Sequence, residues 1–236
     1  MWDIIYYIEK TFGKAKYLIV ALVLLQVSAK AQEPVEENGV VWNAWASSTK
    51  NNNHFGAIEL AHEWKSWTYL GFELGGGLGW LACYDLQKNW INPVGYEKLY
   101  LREISGSHQF VRGKLTAYLP LLRDDDMHPR LILFVSGLGG YTSTINIKGH
   151  LEYFETREKI NTTSESDAHW FSGFEMGLRG SFSRHFSMKL YLGNNNTNFS
   201  DAIKEMNTTI NNFPISFDEY TSSAYVGFSL IYIYSK

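Results

Sequence analysis

Disulfide chemistry has almost nothing to work with in this chain. Its 236 residues hold one cysteine, Cys83, which cannot form an internal bridge, so a disulfide framework is excluded. Proline is scarce, at five residues, which leaves long extended segments uninterrupted. A basic excess is missing too: 21 Lys and Arg stand against 24 Asp and Glu, and nucleic acid is not expected as a partner. Nor is there an apolar run long enough to cross a bilayer as a helix. The prominent run, Tyr17 to Val27, holds eleven residues. As a helix it would span only ~17 Å, against ~30 Å of hydrocarbon.

That run fits a secretory signal instead. Lys10, Lys14 and Lys16 precede it, and Ser28-Ala29-Lys30-Ala31 supplies an A-x-A cleavage site after Ala31. Residues 1–31 are expected to be a signal peptide, 32–39 a periplasmic N-terminal segment, and 40–236 the folded domain.

What the chain has in quantity is glycine, at 20 residues, and aromatic side chains, at 16%; both concentrate in strand-like segments. The stretch TYLGFELGGGLGWLA, residues 68–82, shows the pattern. Gly77 to Ala82 matches the G-x-G-x-x-A of a dinucleotide loop. Pro93 and Gly95 interrupt the residues after it, and no amphipathic helix opens there, so the match is accidental. No cofactor is expected. With a period of two the stretch separates cleanly. Leu70, Phe72, Leu74, Leu78 and Trp80 share one face; Tyr69, Gly71, Glu73, Gly75, Gly77 and Gly79 share the other. A soluble strand is usually about five or six residues long. This one is far longer, and its apolar face is read as meeting lipid.

The alternation recurs over eight expected strands: 40–48, 55–65, 68–82, 109–121, 130–146, 168–182, 186–196 and 220–234. Phe72, Leu115, Leu178 and Leu190 fall on the lipid phase. In 130–146, Leu133 and Val135 fall on the phase assigned to the interior. Connections alternate in length. Ser66-Trp67, 122–129 and 183–185 are short; 83–108, 147–167 and 197–219 are long and polar, and the first connection, 49–54, is brief but asparagine-rich. Short turns at one end and long loops at the other predict an all-β fold, an eight-stranded antiparallel up-and-down transmembrane barrel with periplasmic turns and extracellular loops. An aromatic girdle is expected from Trp64, Tyr232 and Tyr234 at the periplasmic edge and Trp80 and Trp170 at the extracellular edge.

Eight strands enclose a space just wide enough for side chains. Inward glycines make room for inward charges: Glu59, Glu73, Arg112, Lys114, Glu175, Arg179 and Lys189. The two-residue turn sets Glu59 roughly opposite Glu73, and the next-to-last hairpin sets Arg179 opposite Lys189. Like charges that close need counter-charges. The expectation is a lower cluster of Glu59, Glu73, Arg179 and Lys189, and an upper one of Glu175, Lys114 and Arg112.

On LGFELGGGLGW, VSGLGGY, the AKAQ signal end and the final YVGFSLIY, the chain resembles the small eight-stranded outer-membrane β-barrel family of Gram-negative bacteria, often labelled porin-family or outer membrane protein β-barrel domain. The resemblance covers residues 40–236. It implies a location in the cell outer membrane, contact with outer-membrane lipids, and delivery by the barrel assembly machinery, which would read Gly227, Leu230 and Tyr232. A larger outer-membrane complex is left open as a further partner.

Such patterns specify a fold better than an activity. The leading expectation is a non-enzymatic, structural or accessory protein acting through its loops. A narrow solute channel lined by the inward charges is the first alternative, and a membrane-embedded lipid-modifying enzyme the second. His54, His108, His150 and His169 lie in or near expected loops and His62 faces lipid, with no Ser-His-acid set converging on one face. Asp124 to Asp126 read as a solvated turn rather than a metal site.

Overall fold

The computed structural model describes residues 37–48, 53–67, 69–84, 89–91, 98–123, 129–153, 156–197 and 223–235. They form strands β1 (Glu37–Ser48), β2 (Asn53–Trp67), β3 (Leu70–Tyr84), β4 (Asn89–Ile91), β5 (Lys98–Arg123), β6 (Pro129–Thr142), β7 (Ile145–Tyr153), β8 (Lys159–Ser166), β9 (His169–Ser181), β10 (Phe186–Asn195) and β11 (Ser223–Ser235), with no helix among the described residues. The expected signal peptide and the loop after β10 lie outside the described residues. Eight strands make the wall, in the order β1-β2-β3-β5-β6-β9-β10-β11, and β11 pairs with β1 to close it. Every pairing is antiparallel. The closed antiparallel barrel expected from the alternation is the fold.

The alternation works because closure gives each strand one inward and one outward face. On β5, Arg112, Lys114, Thr116 and Tyr118 are buried, while Val111, Leu115 and Leu119 are exposed. Phe72, Leu115, Leu178 and Leu190 all stand on the exposed outer face.

Four expectations need correction. First, Glu37, Asn38 and Gly39 belong to β1 rather than to a separate N-terminal segment; Asn38 pairs with Trp64, so the ladder starts earlier than the apolar pattern. Second, β6 presents Ile132, Phe134, Ser136 and Leu138 inward, so Leu133 and Val135 are on the outer phase. The interior is apolar there, both faces read alike, and periodicity cannot choose between them. Third, the strand expected over 130–146 stops at Thr142, and its last residues open β7. Fourth, the long connections 83–108 and 147–167 are largely strand. β5 runs for 26 residues, twice the length of most wall strands; its upper half pairs with β7 and β4, and β7 pairs with β8. The result is a four-stranded flap, β4-β5-β7-β8, standing beyond the wall at the loop end.

Glycine has a specific task on the inner face of β3. A Cβ on Gly77 would overlap the Ile58 carbonyl and lie 2.6 Å from the Phe110 ring, and one on Gly79 would overlap the His108 ring. Only a residue without a side chain lets these rings enter the lumen.

Candidate functional site: the charge-filled lumen

The inward phase of six wall strands, β1, β2, β3, β5, β9 and β10, delivers the charged interior. Among the described residues, five acids (Glu37, Glu59, Glu63, Glu73, Glu175) and five bases (Lys65, Arg112, Lys114, Arg179, Lys189) meet there, and all but Glu37 are fully buried. The formal charge of the set is zero. A buried charge without a partner costs several kcal/mol, and here each has at least one.

The loop-side half centres on Arg112. Its guanidinium donates to Glu59 at 2.6 Å and to Glu175 at 3.0 Å. Lys114 bridges Glu175 at 3.1 Å and Glu73 at 3.0 Å. Asn43 donates to both Glu59 (2.7 Å) and Glu73 (2.8 Å) and accepts from the Ser229 hydroxyl, while the Tyr225 hydroxyl donates to Glu175 at 2.9 Å. The turn-side half centres on Glu63. It accepts from Lys189 at 2.7 Å, from Arg179 at 3.0 Å, and from the Tyr118 hydroxyl. Below it, Glu37 binds Lys65 at 3.1 Å and approaches Arg179 at 3.6 Å. Glu73 ties the halves together, reaching Lys189 at 3.3 Å as well as Lys114.

The structure brings Glu175, Lys114 and Arg112 together as expected and rearranges the rest. Glu59 belongs with Arg112 and Glu175 rather than with Arg179 and Lys189, and Glu73 joins both groups. The cause is register. β2 continues to Trp67, and a bulge lies between Trp64 and Trp67, so Glu73 faces Glu63 and Glu59 faces Gly77. Arg179 lies directly opposite Lys189. Sequence reasoning missed Glu63, Lys65 and Glu37. The first two share the odd phase of Glu59 on β2, and following that phase to the strand end would have found them.

An aromatic cap lies over Arg112 in the lumen. Trp45 packs on Phe110 (5.4 Å) and Tyr225 (5.9 Å), Phe110 on Phe171 (6.3 Å), and His108 between Phe55 and Phe110. The Arg112 guanidinium lies 3.9 Å from the Trp45 ring centroid, so the cap and the ion pairs are in direct contact. At the turn end, Val41, Ala61, Ile231 and Ile233 form a buried apolar cluster.

On the outer surface, Trp64, Trp80, Trp170, Tyr232 and Tyr234 are exposed. Trp64 stacks on Phe72 (5.6 Å), Tyr232 meets Phe186 (5.2 Å), and Trp170 pairs edge-on with Tyr141 (5.1 Å). Trp42 departs from the expected girdle: it is 68% exposed and lies level with Leu60 and Leu230, between the two groups. Gly227 faces inward beneath the Tyr191 ring, and Leu230 and Tyr232 face outward. The histidines are dispersed. His62 lies outside between Trp64 and Tyr234, His150 bonds Asn161 on the flap, and His185 meets the Ile233 carbonyl in a turn. No group of three metal-capable side chains occurs among the described residues.

No family model matches the chain, and no curated protein does. Several solved structures follow a similar course at low identity. Neisserial surface protein A shares 6% identity over 84% of this chain and 96% of its own, with a TM-score of 0.42. Ail, the attachment invasion locus protein of Yersinia pestis, shares 8% over 84% and 99%, with a TM-score of 0.42. The N-terminal β-barrel domain of Pseudomonas aeruginosa OprF shares 10% over 85% and 100%, with a TM-score of 0.38.

Proposed function

We propose that this chain is a non-enzymatic integral protein of the bacterial outer membrane. Its barrel is a closed scaffold, its turn end is periplasmic, and its flap and loops are the working surface of a structural or accessory component. The observation that carries this reading is the neutral ion-pair network under its aromatic cap. Ten charged side chains pair with one another inside the wall, which suits a plug. A conducting pore needs an open, hydrated path. The exposed apolar outer phase with aromatics near its edges suits lipid contact, and Gly227, Leu230 and Tyr232 on the closing strand suit reading by the assembly machinery.

The test combines fractionation with conductance. The protein is expected in the outer membrane, migrating faster on gels unboiled than boiled, and giving no steady conductance in a planar bilayer. Recovery as a stable soluble periplasmic monomer would defeat the membrane reading. Steady unitary conductance would defeat the plug and favour a narrow channel.

A further inference from the structure

A closed wall has no edge, so the edges of this sheet lie in the flap. One is β4, only three residues long. The other is β8, eight residues long, which ends the strand order and pairs with β7 among the described residues. Natural sheets guard an exposed edge by keeping it short, by proline, by a bulge, or by a charge on its inward face. β4 is guarded by its length. β8 carries none of these devices. Its sequence, KINTTSES, has no proline. Its ladder with β7 runs without a register shift from Ile145–Ser166 to Glu152–Lys159. Ser164 and Ser166, on the buried side of the flap, are neutral. The charges of β8 are Lys159 near one end and Glu165 near the other, both exposed and on one face.

That arrangement is self-complementary. Two copies joined edge to edge about a twofold axis perpendicular to the sheet run antiparallel. Facing residues share a face, so one residue must stand opposite itself. With Thr162 on the axis, Lys159 faces Glu165 of the second copy, twice by symmetry, and Asn161 faces Thr163. No other centre on β8 sets its two charges against each other. Opposite charges directly across a strand pair stabilise it, and like charges destabilise it.

The orientation of β8 decides where the second copy stands. β5 holds its register with β3 from Ala117 to Glu103, so the flap continues the wall upward. Ser166 pairs with Ile145, just past the wall strand β6, and Lys159 pairs with Glu152, away from it. β8 therefore stands on end above the barrel, and an axis perpendicular to its sheet lies in the membrane plane. Rotation about that axis turns the second barrel upside down, into a facing membrane. A copy in the same membrane would present β8 in parallel, with Lys159 level with Lys159 and Glu165 with Glu165. We propose that β8 is a homophilic docking edge, which pairs antiparallel with β8 of a second copy in an apposed membrane. This role deepens the outer-membrane reading and rests on it. One short strand pair is weak by itself; many copies in two facing membranes multiply it by avidity.

The test uses the full barrel folded into phosphatidylcholine vesicles, half carrying a donor dye and half an acceptor, with clustering read as energy transfer between vesicles. Wild-type vesicles are expected to cluster. Lys159→Glu and Glu165→Lys vesicles, each tested alone, are expected to cluster about tenfold less while the barrels keep heat-modifiable migration. Mixing the two variant populations is expected to restore clustering, because each mutant charge then meets its opposite on the facing copy. A merely structural effect of either substitution would not be rescued across two membranes. Wild-type vesicles that stay dispersed, single variants that cluster as well as the wild type, or a mixture that stays dispersed would each overturn the proposal. Association confined to copies in one vesicle would overturn it too, in favour of a lateral contact. Failure of the wild type to enter the vesicles as a compact barrel would instead strike the outer-membrane reading, and this proposal with it.

Discussion

Replacing Arg112 by methionine keeps the bulk of the side chain and removes one charge from a neutral lumen. Glu59 then loses the guanidinium at 2.6 Å and retains the Asn43 amide; Glu175 loses a contact at 3.0 Å and retains Lys114 and Tyr225. Breaking a buried pair from one side costs about 3–5 kcal/mol, because the remaining charge stays desolvated. The lost cation over the Trp45 ring adds about 0.5–2 kcal/mol. The second variant carries Glu59→Gln as well, which restores neutrality and keeps a group that Asn43 can still bond. It is expected to recover about 2 kcal/mol or more of the loss. The assay is urea unfolding of liposome-folded protein, followed by tryptophan fluorescence and checked by heat-modifiable migration. A loss below about 1 kcal/mol for Arg112→Met, or a double variant whose loss equals the sum of the singles, would refute the reasoning: the lumen would then be wet enough to hydrate each charge separately.

Leu115→Arg and Leu190→Arg, each on the exposed outer phase, are expected to cost about 2–4 kcal/mol in the same titration; wild-type stability for both would show that this face does not meet lipid. Gly75→Leu is expected to abolish the compact gel band, since even a Cβ there would lie 2.5 Å from that of Ala61 and 2.8 Å from the Glu59 carboxylate; normal folding would show a looser lumen. Thr142 and His169 are paired neighbours, so replacing residues 143–168 by a short turn is expected to leave a folded, heat-modifiable barrel, and a lost band would make the flap part of the folding unit. Trp45→Ala/Phe110→Ala removes the heart of the cap, yet conductance is expected to stay at baseline because the ion pairs beneath still fill the lumen; a steady current would place the seal in the cap.

The parts of this structure legible in sequence are those where the two faces of a strand differ chemically. On β3, β5, β9, β10 and β11 a lipid-like face alternates with glycine, charge or tyrosine, and the phase follows. On β6 the inner residues Ile132 and Phe134 are as apolar as Leu133 and Val135 outside, and the alternation goes silent. β7 and β8 are hidden for the opposite reason: INIKGHLEY and KINTTSES carry polar residues that read as loop, and what makes them strands is the ladder that β5 offers β7 and β7 in turn offers β8. Of the site, seven of the ten charged side chains and the grouping of Glu175 with Lys114 and Arg112 were legible; Glu37, Glu63 and Lys65, and the places of Glu59 and Glu73, were not. Pairing depends on a bulge at the β2–β3 turn, and on strand tilt, which brings Arg112 and Glu59, on strands that are not neighbours, to one depth. Neither is written in the residue types.

The length of β5 has a mechanical consequence. One uninterrupted backbone belongs to both wall and flap, and it pairs with β3 over residues 103–117, at the junction itself. A pull on the flap away from the barrel therefore runs along the strand axis and loads those hydrogen bonds together, in shear, instead of peeling them one at a time. A flap joined by a flexible loop would swing and dissipate the load; this one behaves as a cantilever whose root is clamped in the barrel. Tension on the flap is delivered to the wall as a whole, and the attachment is as strong as the closed ladder rather than as weak as a hinge.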